Sequence, residues 1–423
     1  MLLTRKVPGS IPAFLTAVLL LAFLPAGAQR LRVAFVGDPQ VDSEAELAYA
    51  RKSVYGELRS RKDLDLVLFL GDIVNDKMDL LAPSRASMDS LSCPWASVPG
   101  NHDRDVYGRG EGTPRRSGRD MASYSRIIGA PDTTFVRGGV RFILMDDIRL
   151  RGALGYEAGF REDQKAWLSS ILSATPPQML AVLSAHIPFS EFQALDSLGT
   201  ILARHPRLLL MAAHTHTMAR HQLVFPNGIA VEEVLTGASC GSWWRGVPDD
   251  RGIPQSYQNC GAPPCYYVAD FADGGYRLDY QAFGRPAEKA SAALVDSTRL
   301  VLNIYGGATD GEVRVRLPGR LRWITVPASR EPAPEERAVV AFNRSLKREG
   351  RVRNPQYIPM RLMDSPHVWA IDLKDSPKLL ASLRRSDGKR VKIRYRDKSM
   401  SFSTACTVSW HNRYRPLPSE TKN

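Results

Sequence analysis

Five apolar runs in this chain stop abruptly, each at an Asp, an Asn or a His. LRVAFV, residues 31–36, runs into Gly37 and Asp38, and DLVLFL, residues 65–70, runs into Gly71 and Asp72. WASV, residues 95–98, is followed by Gly100 and Asn101. The run 178–184 leads to His186, and LLLMAA, residues 208–213, to His214. DLVLFL is apolar without alternation, the pattern of a strand buried on both faces. Polar stretches of helical character lie between the runs, at 43–61 and at 163–173, the second closed by Pro176 and Pro177. Further runs at 140–145, ending in Asp146 and Asp147, at 230–235 and at 266–271 read as additional strands. Strands alternating with helices specify a layered α/β domain. In such sheets ligands collect where loops converge beyond the carboxyl ends of the strands. Asp38, Asp72, Asn101, His186 and His214 are therefore expected to be neighbours in space.

The chain has 423 residues, 43% hydrophobic and 24% charged, which supplies a large core and two domains and excludes disorder throughout. Residues 29–285 read as the α/β domain. Beyond them, short strand-like runs at 299–306, 311–318, 339–343, 367–373, 389–395 and 404–410 predict a β-rich, sandwich-like domain over 286–423, with 327–336 as a surface loop. The net charge of +13 suits anionic partners such as phosphate esters, nucleic acid or a membrane surface, or simply a soluble basic surface. In KRVKIRYR, residues 389–396, basic and apolar residues alternate, so one strand face is charged and the other buried; this reads as a basic domain surface, and no stable nucleic-acid complex is expected.

Arg5 and Lys6 precede an apolar stretch over 11–24 and then Pro25-Ala26-Gly27-Ala28-Gln29. That order is a secretory signal with a cut after Ala28, so 1–28 is read as a signal peptide and the mature chain as exported, periplasmic or extracellular. An uncleaved anchor is the alternative. No later segment is long enough for a membrane span. Cys93, Cys240, Cys260, Cys265 and Cys406 are an odd set, and Cys260 and Cys265 are spaced for a local disulfide in an oxidising compartment. The paired glycines at 274–275 and 306–307 fit neither a P-loop nor a dinucleotide fingerprint, and no G-x-S-x-G supports an esterase.

His214-Thr215-His216 sets two imidazoles on one side of an extended segment. Oxygen and imidazole donors suit Mn, Fe or Zn. In VPGNHD, residues 98–103, the turn explains the glycine but not the histidine beside Asn101.

In order, Gly37-Asp38-Pro39-Gln40, Gly71-Asp72-Ile73-Val74-Asn75-Asp76, Gly100-Asn101-His102-Asp103, Ala185-His186 and His214-Thr215-His216 resemble the blocks of the calcineurin-like metallophosphoesterases. The likeness covers residues 31–240, and with the β-rich end it resembles an exported bacterial branch that carries its own C-terminal domain. It implies a four-layered α/β/β/α sandwich, two divalent metal ions and hydrolysis of a phosphate ester by direct attack of metal-bound water. Carried over position by position, Asp72 bridges the ions, Asp38 and His216 hold the first, and Asn101, His186 and His214 the second. Gln40 stands where many relatives have a first-site histidine, and an amide is the weaker donor. Ala213 stands where glycine is more usual. His102 faces the substrate as proton donor or electrostatic stabiliser, with Asp103 orienting it. Asn75 and Asp76 brace the Asp72 loop.

Trp243, Trp244 and Arg245 suit an organic group attached to phosphate, core packing at a domain junction being the other reading. Arg115, Arg116 and Arg119 form a basic loop facing either substrate or solvent, and His221 lies either near the crevice or in solvent. A phosphodiester is the expected substrate. A broad phosphomonoesterase that scavenges phosphate is the alternative, and an envelope- or carbohydrate-binding protein with a vestigial metal domain is a third reading, favoured only by Gln40.

Overall fold

The computed structural model describes residues 30–106, 113, 118–152, 155–348, 355–384 and 390–410. The signal-peptide segment, Arg115 and Arg116 lie outside the described residues. β1 (Leu31–Val36) leads through α1 (Glu44–Lys52) and α2 (Val54–Ser60) to β2 (Leu66–Leu70), α3 (Leu81–Asp89), β3 (Trp95–Val98) and α4 (Ala122–Ile127). Next come β4 (Thr133–Arg137), β5 (Val140–Leu144), the hairpin of β6 (Ile148–Arg151) and β7 (Gly155–Ala158), and α5 (Glu162–Ala174). β8 (Leu180–Ser184), α6 (Leu195–Leu202), β9 (Leu208–Ala212), β10 (Met218–Val224) and β11 (Ala230–Thr236) follow, then β12 (Cys265–Ala272) and β13 (Gly275–Ala282).

These strands form two sheets, ordered β13-β12-β1-β2-β3 and β10-β11-β9-β8-β5-β4. Side chains alternate across a strand, so each sheet presents two faces. Leu31, Val33 and Phe35 of β1 pack between the sheets against Phe142, Leu144, Val182 and Met211. Ala34 and Val36 face the other way, onto Leu47 and Ala50 of α1 and Val54 and Leu58 of α2. Ile143 and Leu183 in the second sheet likewise face Leu168 and Leu172 of α5 and Leu198 and Leu202 of α6. The result is a helix, sheet, sheet, helix sandwich. β1, β2 and β3 run parallel, as do β5, β8, β9 and β11, so within each sheet the loops beyond their carboxyl ends share an edge. Ser43 caps α1 by accepting from the Glu46 amide, while the Glu46 carboxylate accepts from the Asp42 amide. This fixes the helix end of the loop that carries Asp38 and Gln40.

The remainder consists of β14 (Ala290–Val295), β15 (Arg299–Ile304), β16 (Glu312–Arg316), β17 (Ile324–Val326), β18 (Ala328–Glu331), α7 (Pro334–Arg348), β19 (Ser365–Asp372), α8 (Pro377–Arg384), β20 (Arg390–Arg396) and β21 (Ser401–Trp410). All eight strands join one sheet, ordered β17-β16-β20-β21-β14-β15-β19-β18. Its two edge strands are separated in the chain by Pro327 alone, so the sheet curls until its edges meet, and this β-rich domain is a near-barrel.

Two sequence expectations fail here. Residues 328–331 are a strand and 334–348 a helix, where a surface loop and a strand at 339–343 were expected. The β-branched pair Val339-Val340 carries the strand signal. Pro334 in the first turn, Glu335 and Glu336 beside it, and buried Val339, Asn343 and Leu346 at helical spacing outweigh it. The Cys260–Cys265 disulfide is also absent, since all five cysteines are free. The Cys260 sulfur accepts from the Met218 amide, whereas Cys265 lies against the Met218 sulfur and the Thr236 carbonyl. Among the described residues no helix is long and apolar enough to cross a membrane.

Candidate metal centre

The loops beyond β1, β2, β3, β8 and β9 converge. His186 Nε2 lies 3.3 Å from Asp72 Oδ2, 3.2 Å from Asn101 Oδ1 and 3.1 Å from His214 Nδ1. Ligand atoms of Asp72, His186 and His214 all lie within 4.8 Å of one another. Gln40 Nε2 is 3.3 Å from Asp72 Oδ2 and 3.5 Å from Asn75 Oδ1, so the amide joins the same cluster. Close backbone approach makes this possible. A Cβ on Gly100 would fall 2.1 Å from Asp72 Oδ1, a spacing no side chain tolerates. A Cβ on Gly37 would fall 2.7 Å from that of Ala213, so the glycine makes room for the unusual alanine.

Asp38, Gln40, Asp72, His214 and His216 all have positive φ, between 42° and 66°. Left-handed backbone at non-glycine residues costs on the order of 1–3 kcal/mol each and survives only where the surroundings over-determine it. Its concentration at these positions marks loops shaped to aim side chains. Two imidazoles are further held by their other nitrogen. His186 Nδ1 is hydrogen-bonded to the Leu70 carbonyl at 2.7 Å, and His216 Nδ1 to the Gly241 carbonyl at 2.5 Å. Each therefore turns Nε2 toward the crevice, the arrangement that prepares a histidine for a metal.

Charge in the cluster follows from burial. Asp38 is fully buried, and neither carboxylate oxygen makes a hydrogen bond of normal geometry. Burial pushes its carboxyl up to about 8, against the pull of His186 and with a further push from Asp72. Burial also opposes ionisation of Asp72, but the imidazoles of His186 and His102 hold it well below the usual carboxylate range. His186 is lowered by burial and then raised to about 10 by Asp72, Asp38 and Asp147. Burial and the neighbouring His186 lower His214 to about 3, and burial lowers His216 to about 4, leaving both neutral at neutral pH. An unpartnered buried carboxylate is costly unless a cation faces it. Orphaned oxygens beside neutral imidazoles fit a divalent ion, which binds deprotonated ligands.

His102 lies beside the cluster, its side chain 31% exposed and its Nδ1 2.9 Å from Asp76 Oδ1. Burial lowers its pKa, but Asp76 and Asp72 raise it above the ordinary imidazole value. The expected orienting role of Asp103 goes instead to Asp76. Asp103 is fully buried and accepts from the amides of Gly100 at 2.9 Å and Val74 at 3.1 Å, so it builds the turn. One residue of sequence separation points the two side chains apart, whereas the loop of Asp72 brings Asp76 across.

Trp244 is buried, and its indole N–H donates to the Pro39 carbonyl, which makes it a brace for the first-site loop. Trp243 stacks on His216 with ring centroids 4.7 Å apart at 30°. Arg245 is exposed on the same loop. His221 is paired with Glu233 at 2.9 Å across β10 and β11 and takes no part in the cluster.

Two contributors escaped the sequence reading. Asp147 accepts from the amides of His186 at 3.2 Å and Ile187 at 2.8 Å and so positions the His186 loop. Its place at the end of a strand was the available signal. Tyr156, 41% exposed on the β6–β7 hairpin, stands edge-on to His214 with centroids 6.1 Å apart, and nothing in its sequence surroundings points there.

Residues 31–218 match the family model of the calcineurin-like phosphoesterases, and residues 233–397 match the model of their C-terminal region. Among solved structures, a metallophosphoesterase from Sphaerobacter thermophilus is similar at 12% identity over 60% of this chain and 89% of that one, with a TM-score of 0.28. A phosphatase from Mycoplasma pneumoniae is similar at 10% identity over 60% of this chain and 94% of that one, with a TM-score of 0.31. No curated protein matches the chain. With both parts of the chain matched and the ligand cluster in place, the chain belongs to the calcineurin-like phosphoesterases and is a metal-dependent phosphoester hydrolase.

Proposed function

We propose that the chain is an exported phosphodiesterase that works with two divalent ions, Mn, Fe or Zn. Asp38, Gln40 and His216 would hold the first, Asn101, His186 and His214 the second, and Asp72 both. Such ions supply Lewis acidity and an acidified water for in-line attack on phosphorus. The protein's own part is orientation and proton delivery. His102, whose pKa is raised by Asp76 and Asp72 against burial and whose side chain stays partly exposed, would give a proton to the departing ester oxygen. Export is supported by the charged, apolar, small-residue order of residues 1–28.

The observation that carries the diester reading is the pair of aromatic rings beside the ligand imidazoles, Trp243 on His216 and Tyr156 by His214. Each offers a surface for an organic arm of the ester, and a monoester has only one arm. A vestigial, purely binding role is disfavoured by Asp38, whose buried carboxyl oxygens stay without a hydrogen-bond partner unless a cation faces them. The test is hydrolysis of bis-p-nitrophenyl phosphate and p-nitrophenyl phosphate after chelation and reloading with Mn or Zn. The diester is expected to have the higher kcat/KM, and Trp243→Ala to lower that preference. A higher value for the monoester would replace this reading with a broad phosphomonoesterase.

A further inference from the structure

The outer face of β16 and β20 carries Arg314, Arg316, Arg390, Lys392, Arg394 and Arg396 against a single carboxylate, Glu312. Register sets Arg314 directly opposite Arg394, and Arg316 directly opposite Lys392. Like charges in facing positions destabilise a sheet. The fold does not need them there, because the same strands bury Val313, Val315, Val391, Ile393 and Tyr395 on their inner face. Neighbouring β21 opposes β20 with Ser401, Ser403, Ala405 and Thr407, all short and uncharged, so no long side chain of β21 covers the basic face.

The segment joining β16 to β17 adds an apolar element to this face. Leu321 is 89% exposed, the most exposed of the large apolar residues described, and it sits between Arg320 and Arg322. Trp323 follows, with the guanidinium of Arg394 4.3 Å and that of Arg316 5.2 Å from its ring centroid. The tip and the basic platform are thus one surface. An apolar side chain flanked by arginines, with an indole and a cationic plane behind it, matches the order of a bilayer from acyl chain to headgroup.

We propose that this face docks the protein on an anionic phospholipid membrane, with the cations on lipid phosphates and Leu321 entering the headgroup boundary. Charge complementarity alone would also suit nucleic acid. The outer face of a curled sheet offers no helix or protruding ribbon to a groove, however, and phosphate contacts leave an exposed leucine without a role. The proposal does not depend on the identity of the ester hydrolysed.

The test is co-sedimentation of the full chain with vesicles of phosphatidylcholine alone and of phosphatidylcholine and phosphatidylglycerol in equal parts. Binding is expected to the mixed vesicles only and to weaken as salt is raised. Each cation near an anionic leaflet contributes roughly fivefold, so Lys392→Gln with Arg394→Gln should weaken binding by about 25-fold. Leu321→Asp should weaken it further, and all variants should keep wild-type hydrolysis of p-nitrophenyl phosphate and wild-type Tm. Arg59→Gln with Lys62→Gln removes two exposed cations from the other domain and should leave binding unchanged. Equal loss in this control would reduce the effect to net charge and overturn the proposal. Equal binding to phosphatidylcholine alone, no response to the platform variants, or duplex DNA displacing the vesicles with Leu321→Asp without effect would overturn it as well.

Discussion

At the scale of single residues, the centre assigns distinct work to neighbours that sequence alone cannot separate. Asn101, His102 and Asp103 are consecutive, yet Asn101 meets His186, His102 meets Asp76, and Asp103 holds the turn. Asp38, Asp72, Asn101, His186 and His214 were legible because each follows the end of an apolar run, and Gln40 and His216 through the blocks they share with the family. The partner of His102 was not, because Asp76 reaches it from another loop. Replacing His102 by Ala should leave metal content intact and lower kcat by roughly 10²- to 10⁴-fold. Asp76→Asn should act through His102 and lower activity by roughly 10- to 100-fold, with Asp103→Asn showing instead a lower Tm. Steady-state kinetics with melting curves separate these outcomes; a kinetic loss for Asp103→Asn at unchanged Tm would restore the original assignment.

At the scale of elements, the apolar runs gave strands because their buried faces alternate between two cores, a pattern that survives in local sequence. Residues 328–348 were misread because their helix and edge strand are set by burial against the rest of the near-barrel, which a short window does not contain. The junction between domains was equally invisible. Buried Arg220 of β10 joins Glu232 of β11 at 2.8 Å to Asp397 of the β20–β21 turn at 2.9 Å. Arg220→Ala leaves those carboxylates without their shared cation and should cost about 3–5 kcal/mol, read as a shifted denaturant midpoint. A change below about 1 kcal/mol would mean that the junction is held by apolar packing instead.

At the scale of the whole molecule, stability should carry an acid dependence that arises in the β-rich domain. His367 is fully buried in β19, its Nδ1 2.6 Å from Asn303 Oδ1, and burial lowers its pKa to about 4. The unfolded chain therefore takes up this proton first. Its contribution is complete above the ordinary histidine value near 6.5 and is lost as pH falls toward 4. His367→Gln should flatten the fall in Tm across that window, and an identical acid profile for both proteins would exclude the role.

In the proposed centre one carboxylate, Asp72, gathers the loops of two sheets around shared cations. Elemental analysis of the purified protein and of Asp72→Ala, each saturated with Mn or Zn and then freed of excess metal, tests it most directly. The wild type should retain two equivalents and the variant should lose metal from both sites, whereas full retention by the variant would contradict the account.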